Sequence, residues 1–167
     1  LIAAGYEKTS DSTGLPPKPG AYNCIAWAAN DTQRWWWPDG DDYWPVWSSR
    51  ELSKLSFIKA FSWLGYRVCN NSRLEFAFEK VVLYAIGDEP KHMARQLRDG
   101  TWTSKCGAEE DITHFTLDAV ESFGPYPLYA EYGSPVLYMK RFLFVSWIVK
   151  SIQFLTWKIG ISFSASV

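Results

Sequence analysis

Three cysteines and two histidines carry most of the chemistry open to this chain: Cys24, Cys69, Cys106, His92 and His114. Cys24 follows Asn23, a good N-cap, and Cys24, Trp27 and Ala28 recur at the spacing that shares one helical face. A thiol at a helix start feels the partial positive charge of unpaired backbone N–H groups, which favours the nucleophilic thiolate. An isolated free cysteine is more often a small buried residue. A histidine on a later strand changes that balance, because imidazole takes a thiol proton and returns one to a leaving group. His92, two residues after Pro90, opens such a strand and is the candidate base for Cys24. His114, in Glu109-Glu110-Asp111-Ile112-Thr113-His114, is the competing imidazole, although its neighbours read as helix-capping residues.

A third polar group should orient the His92 ring, and the hairpin after His92 decides which. A two-residue Asp99-Gly100 turn puts Thr103 and Lys105 on the His92 face and collects Met93, Leu97, Trp102 and Cys106 on the other. A three-residue loop with a glycine bulge brings Ser104 to His92 instead. Apolar patterning favours the first geometry.

Other chemistries fit less well. Three cysteines without a C-x-x-C pair make neither a disulfide framework nor a zinc site, and two histidines are too few for a histidine-rich metal centre. Asp39, Asp41 and Asp42 lack the alternation and closing glutamate of a calcium loop and read as a solvated acidic turn. No metal and no cofactor is expected. The chain holds Trp 10, Tyr 9 and Phe 10, so some rings are expected to line a cleft, with Trp27, Trp36 and Trp102 the candidate substrate-binding residues. Trp35, Trp36, Trp37, Trp44 and Trp47 could stack on sugars or bases, or close over the core as a hydrophobic lid. With a net charge of -1 and no basic patch, nucleic acid is not an expected partner.

The elements that must position these residues fit one domain of 167 residues. Residues 1–20 read as an extended N-terminal arm, dense in proline and turn formers, 21–141 as the folded domain, and 142–167 as an apolar tail. Lys150 and Lys158 interrupt that tail, against the ~20 apolar residues a membrane span needs, and leave membrane contact through the tail as a weaker option. The first residues lack a basic start and a long apolar run, which favours a cytoplasmic setting. Ser48 and Glu51 form a capping box for a helix in which Leu52, Leu55, Ile58, Phe61 and Leu64 recur until Gly65. A strand is predicted over 78–86 with a turn over 87–90, then strands over 92–97 and 101–105, a helix over 112–122 and a strand over 136–141. Helices first and strands after imply an α+β fold.

The blocks Asn23-Cys24-Ile25-Ala26-Trp27-Ala28, Arg34-Trp35-Trp36-Trp37-Pro38 and Tyr43-Trp44-Pro45 resemble a bacterial family catalogued only as a domain of unknown function. So do Phe78-Glu79-Lys80-Val81, Leu83-Tyr84-Ala85, His92-Met93-Ala94-Arg95-Gln96-Leu97 and Asp99-Gly100-Thr101-Trp102-Thr103-Ser104-Lys105, in that order, over roughly 15–141. That family is similar in turn to the papain-like superfamily, in particular its NlpC-type cell-wall amidases. The resemblance implies a papain-like core with N-terminal helices packed on an antiparallel sheet, Cys24 as nucleophile, His92 as base and Ser104 as the orienting group. Serine departs from the His, Asn or Asp usual there, and Lys18 stands where papain-type enzymes keep a glutamine. The implied activity is thiol hydrolysis of an amide or ester in a small molecule, peptide or glycan. The alternative is a non-catalytic module on the same scaffold that binds a peptide, glycan or protein in the tryptophan cleft.

Overall fold

In a computed structural model, the structure describes residues 6–9, 21–106, 111–120 and 132–144. Seven strands form one sheet: β1 (Tyr6–Thr9), β2 (Arg67–Cys69), β3 (Phe78–Ile86), β4 (Glu89–Gln96), β5 (Trp102–Lys105), β6 (Asp111–His114) and β7 (Ser134–Phe142). Their spatial order is β1-β6-β5-β4-β3-β7-β2, and neighbouring strands are antiparallel. β3 lies between β4 and β7, so residues 80–85 are buried whichever face they take, as a continuous apolar run requires.

Two cores flank the sheet. On one face Val81, Leu83, Met93 and Met139 pack with helix α1 (Cys24–Ala28), helix α2 (Lys54–Trp63) and the rings of Trp36, Trp44, Phe57 and Phe61. On the other, Val82, Tyr84 and Ala94 meet Trp102, Ile112 and Val120. The change of core from one residue to the next follows the two-residue period of a strand.

The α+β, papain-like class expected from the sequence is corrected here: the chain is mostly β, a seven-stranded antiparallel sheet with helices of only five and ten residues. The largest local difference is at 112–122. The expected helix is replaced by strand β6, followed by a 3-10 turn at Asp118–Val120. Ile112 and Thr113 are β-branched, and pairing with β5 on one side and β1 on the other outweighs the capping potential of Asp111 and Thr113. Helix α2 also starts later than expected. Ser53 rather than Ser48 caps it, accepting from the Ser56 N–H, while the Ser48 hydroxyl donates to the Ser56 carbonyl at 2.7 Å. Its buried side chains are Ser56, Phe57, Ala60 and Phe61, and Leu55 is exposed, so the inward stripe follows the helical period rather than a strict repeat of three.

Of the expected arm 1–20, Tyr6–Thr9 forms an edge strand and 10–20 lie outside the described residues. Of the expected tail 142–167, residues 145–167 lie outside them too. No helix among the described residues is long and apolar enough to cross a membrane.

Candidate functional site

The start of α1 is pinned from two sides by Asn23. Its Oδ1 accepts the Ala26 N–H at 3.0 Å as the N-cap, and its Nδ2 donates to the Trp36 carbonyl at 2.7 Å. Trp36 is held in turn by its indole N–H, which donates to Asp31 at 2.9 Å. These bonds fix Cys24 as the first residue of α1, against the sheet at β4. The backbone N–H groups of Met93, Ile25 and Cys24 itself favour its anion. Burial outweighs those donors and pushes the Cys24 thiol up to about 11, so the resting sulfur is protonated.

His92 is fully buried on β4, opposite Tyr84 of β3. Met93 and Arg95 face α1, so strand alternation turns His92 and Ala94 to the other face of the sheet. The Tyr132 ring stacks on His92 with centroids 3.9 Å apart, and the Tyr84 ring lies at 5.7 Å. Neither ring nitrogen of His92 has a hydrogen-bond partner among the described residues. Burial, with the nearby charge of His114, depresses its pKa to about 3, so the ring is neutral at pH 7. Cys24 on the α1 side and His92 on the other face of the sheet are thus joined by no hydrogen bond. Tyr132 is the side chain common to both: it covers the imidazole and feels the charge of Cys24 and Cys106, and burial raises its phenol.

The hairpin after β4 settles which strand residue faces His92. Arg95 pairs with Thr103 and Gln96 with Trp102, the Leu97 N–H donates to the Thr101 carbonyl, and Gly100 closes the loop at φ 93°. This is the three-residue loop with a glycine in the left-handed region. Ser104 thus shares the His92 face and is buried. Its hydroxyl, however, lies 3.5 Å from His114 Nε2, not on His92. His114 stands on β6, not at a helix start, and its Nδ1–H donates to the Thr116 carbonyl at 2.7 Å, which leaves Nε2 as the acceptor for Ser104. Burial lowers the His114 pKa. Ser104 and His114 form a pair of their own, and the orienting role expected of Ser104 toward His92 has no hydrogen bond behind it.

The pairing of β4 with β5 stops at Arg95 and Thr103. Beyond that point no residue pair joins the two strands. Lys105 and Asp111 lie past the end of that pairing, on the α1 side of the sheet. Both are buried, 3.7 Å apart, and Tyr22 donates to Asp111 at 2.8 Å. Nothing in the sequence marks Asp111 or Tyr22 as a site residue, and a lysine on an inward strand position is the signal for Lys105.

The tryptophans expected to bind substrate are placed differently. Trp36 and Trp102 are 2% and 3% exposed, one in each core. Trp27 is half-buried at the end of α1, its ring under the Arg95 guanidinium, whose Nη1 donates to the Trp27 carbonyl and to Asn30. An exposed pair is instead Trp47 and Trp63, with centroids 4.4 Å apart and planes tilted by 31°. Among the described residues no three His, Cys, Asp or Glu side chains converge as a metal ion would require.

A family described as a domain of unknown function (DUF7689) matches residues 15–140. The chain belongs to that family. The match takes in α1, α2 and strands β2 to β6, so the DUF7689 domain includes Cys24, His92 and Lys105 together. No curated protein and no solved structure matches the chain. The DUF7689 description carries no activity, so the reading of the site rests on its own chemistry.

Proposed function

We propose that this DUF7689 chain is a thiol hydrolase that cleaves an amide or ester, with Cys24 as the nucleophile and His92 as the proton carrier. One observation carries the reading: a buried thiol at the start of α1 whose anion is favoured by backbone N–H groups, Met93's among them, next in sequence to a buried imidazole whose two nitrogens are unpartnered among the described residues. A buried donor or acceptor without a partner costs about 1–3 kcal/mol, and a neutral imidazole has one of each. A fold that tolerates that cost at His92 keeps the ring available for another purpose.

The thiol at about 11 and the imidazole at about 3 make proton transfer between them uphill by roughly 10 kcal/mol at rest. The site therefore rests neutral. The proton leaves sulfur only as the S–C bond forms at the substrate carbonyl, and His92 takes it up. His92 then gives it to the departing amine or alcohol, and water attacks the thioester, releasing the acid and returning the proton to sulfur. Backbone N–H groups around the sulfur are suited to the developing oxyanion. The test uses release of p-nitrophenol from p-nitrophenyl esters and of p-nitroaniline from peptide anilides. Cys24→Ala and His92→Ala should each abolish turnover, whereas full turnover in Cys24→Ala overturns the reading.

A non-catalytic binding module is the second reading, favoured by the absence of a thiol–imidazole hydrogen bond. The ring surface offered to a peptide, glycan or protein is then that of Trp47 and Trp63. On this reading Cys24 stays inert to iodoacetamide at neutral pH and no ester or anilide is turned over.

A further inference from the structure

Arg95 carries a charge that no neighbouring carboxylate meets directly. It lies on the face of β4 that packs on α1, half-buried, with its Cζ 4.5 Å from the centroid of the Trp27 ring. Its Nη1 donates at the end of α1, to the Trp27 carbonyl at 3.3 Å and to Asn30 Oδ1. Nε and Nη2, the side of the guanidinium whose two N–H bonds run parallel, have no partner among the described residues. The carboxylates whose charge Arg95 feels are engaged elsewhere. Glu79 accepts from Arg141 Nε at 2.8 Å and from Asn30 Nδ2 at 3.1 Å, while Asp111 accepts from Tyr22 at 2.8 Å and lies 3.7 Å from Lys105. Among the described residues no carboxylate stands at ion-pair range of Arg95. The shortage of acceptors extends to its neighbour, since the buried Trp27 indole N–H has no partner either. Unmet donors around a charged guanidinium are matched by an oxyanion.

We propose that Arg95, backed by the Trp27 ring, forms a carboxylate-binding site at the end of α1, with its Nε–Nη2 edge taking the two oxygens side by side. The two bonds of Nη1 and the ring beneath hold the guanidinium in one orientation, so the free edge is set before a ligand arrives. Capping the α1 carbonyl occupies Nη1 alone, and an ammonium would serve there as well. The planar fork has a use that capping does not supply. A carboxylate fits better than a phosphate dianion: Arg95 offers a single charge, and Glu79, linked to it through the Asn30 side chain, repels a second negative charge on the ligand. The site lies one helical turn from Cys24 along α1 and does not depend on that thiol being reactive.

The experiment titrates the isotope-labelled full chain and follows the Arg95 Nε–H and Trp27 indole N–H resonances by NMR, the indole being assigned with Trp27→Phe. The probes are N-acetylglycine, which carries a chain-terminal carboxylate, and the α-amide of N-acetylaspartate, which carries a side-chain one. N-acetylglycinamide is the neutral control and inorganic phosphate the dianion. At least one acid should shift both resonances saturably, the neutral amide should not, and phosphate should bind more weakly. The tighter of the two acids names the source of the carboxylate. Arg95→Lys keeps the charge and loses the fork, and should weaken that binding by about tenfold. If Arg95→Lys fails to fold, the parent titration decides alone through the Trp27 indole, which lies against the guanidinium. No saturable shift with either acid, an equal response to the neutral amide, tighter binding of phosphate, or parental affinity in folded Arg95→Lys overturns the proposal. None of these readouts requires turnover, so loss of the hydrolase reading leaves the test intact.

Discussion

Acidification from pH 7 to pH 5 should weaken this fold by about 2 kcal/mol through one side chain, His92. The folded pKa is about 3 against an ordinary 6.5, depressed first by burial and then by the charge of His114. A depressed value means that the contribution of His92 is complete above 6.5 and is lost as pH falls toward 3, because the unfolded chain takes up a proton there that the folded chain refuses. At pH 5 the unfolded imidazole is almost fully protonated and the folded one almost wholly neutral, about one and a half pH units into that window, at 1.36 kcal/mol per unit. The perturbation is His92→Phe, which fills the slot between Tyr84 and Tyr132 with a ring that does not titrate. Urea unfolding followed by tryptophan fluorescence at pH 7, 6 and 5 gives the stability of each protein. The parent should lose about 2 kcal/mol more than the variant between pH 7 and 5, or about 4–8 °C in Tm. His114 titrates in both proteins and cancels in the difference. Parallel pH profiles would refute the reasoning, for they would mean that His92 is hydrated and partnered in solution.

Four further outcomes follow from the same packing. Cys24→Ala should flatten the alkaline side: the thiol is raised from 9.0 to about 11, so the parent loses about 1.4 kcal/mol by pH 10 that the variant does not, measured by the same urea series. Gly133→Ala should cost at least ~3 kcal/mol, since φ is 75° and a Cβ would lie 2.1 Å from the Ala85 carbonyl oxygen, and circular dichroism should find it largely unfolded or Tyr132 displaced from His92. Glu79→Ala should cost about 3–5 kcal/mol by removing the carboxylate 2.8 Å from the Nε of buried Arg141, as a denaturant midpoint will report. Asn23→Ala should cost about 2 kcal/mol, because the cap to Ala26 and the bond to the Trp36 carbonyl go together, and should speed exchange of the α1 amides.

What was legible in the sequence was local. Asn23 as a cap needs only its own helix, and β3 over 78–86 has an apolar run bounded by turn formers, so both are written in a few consecutive residues. The hairpin left two registers open, and Gly100 in the left-handed region selects the one that apolar patterning alone disfavoured. The mostly β class was hidden because β6 is four residues long, Asp111–His114, and becomes a strand only through β5 and β1. The tryptophan count pointed to a cleft, yet Trp36 and Trp102 each anchor a core, since an indole that finds a hydrogen-bond partner or a snug wall is best buried. That Lys105 and Asp111 are buried together on the α1 side depends on where the pairing of β4 with β5 ends and that of β5 with β6 goes on, a property of the strands together that no one segment carries alone.

The short pairing of β4 with β5 has a mechanical side. β4 and β5 are laced by the pairs Arg95–Thr103 and Gln96–Trp102, whereas β3 is paired with both its neighbours along most of its length. The sheet is thus two panels, β1-β6-β5 and β4-β3-β7-β2, sewn together by a short seam beside the hairpin. Under gentle denaturant the smaller panel should swing away as a cooperative unit before the larger one loses its amide protection, and the first interior groups to meet water would be those along the seam.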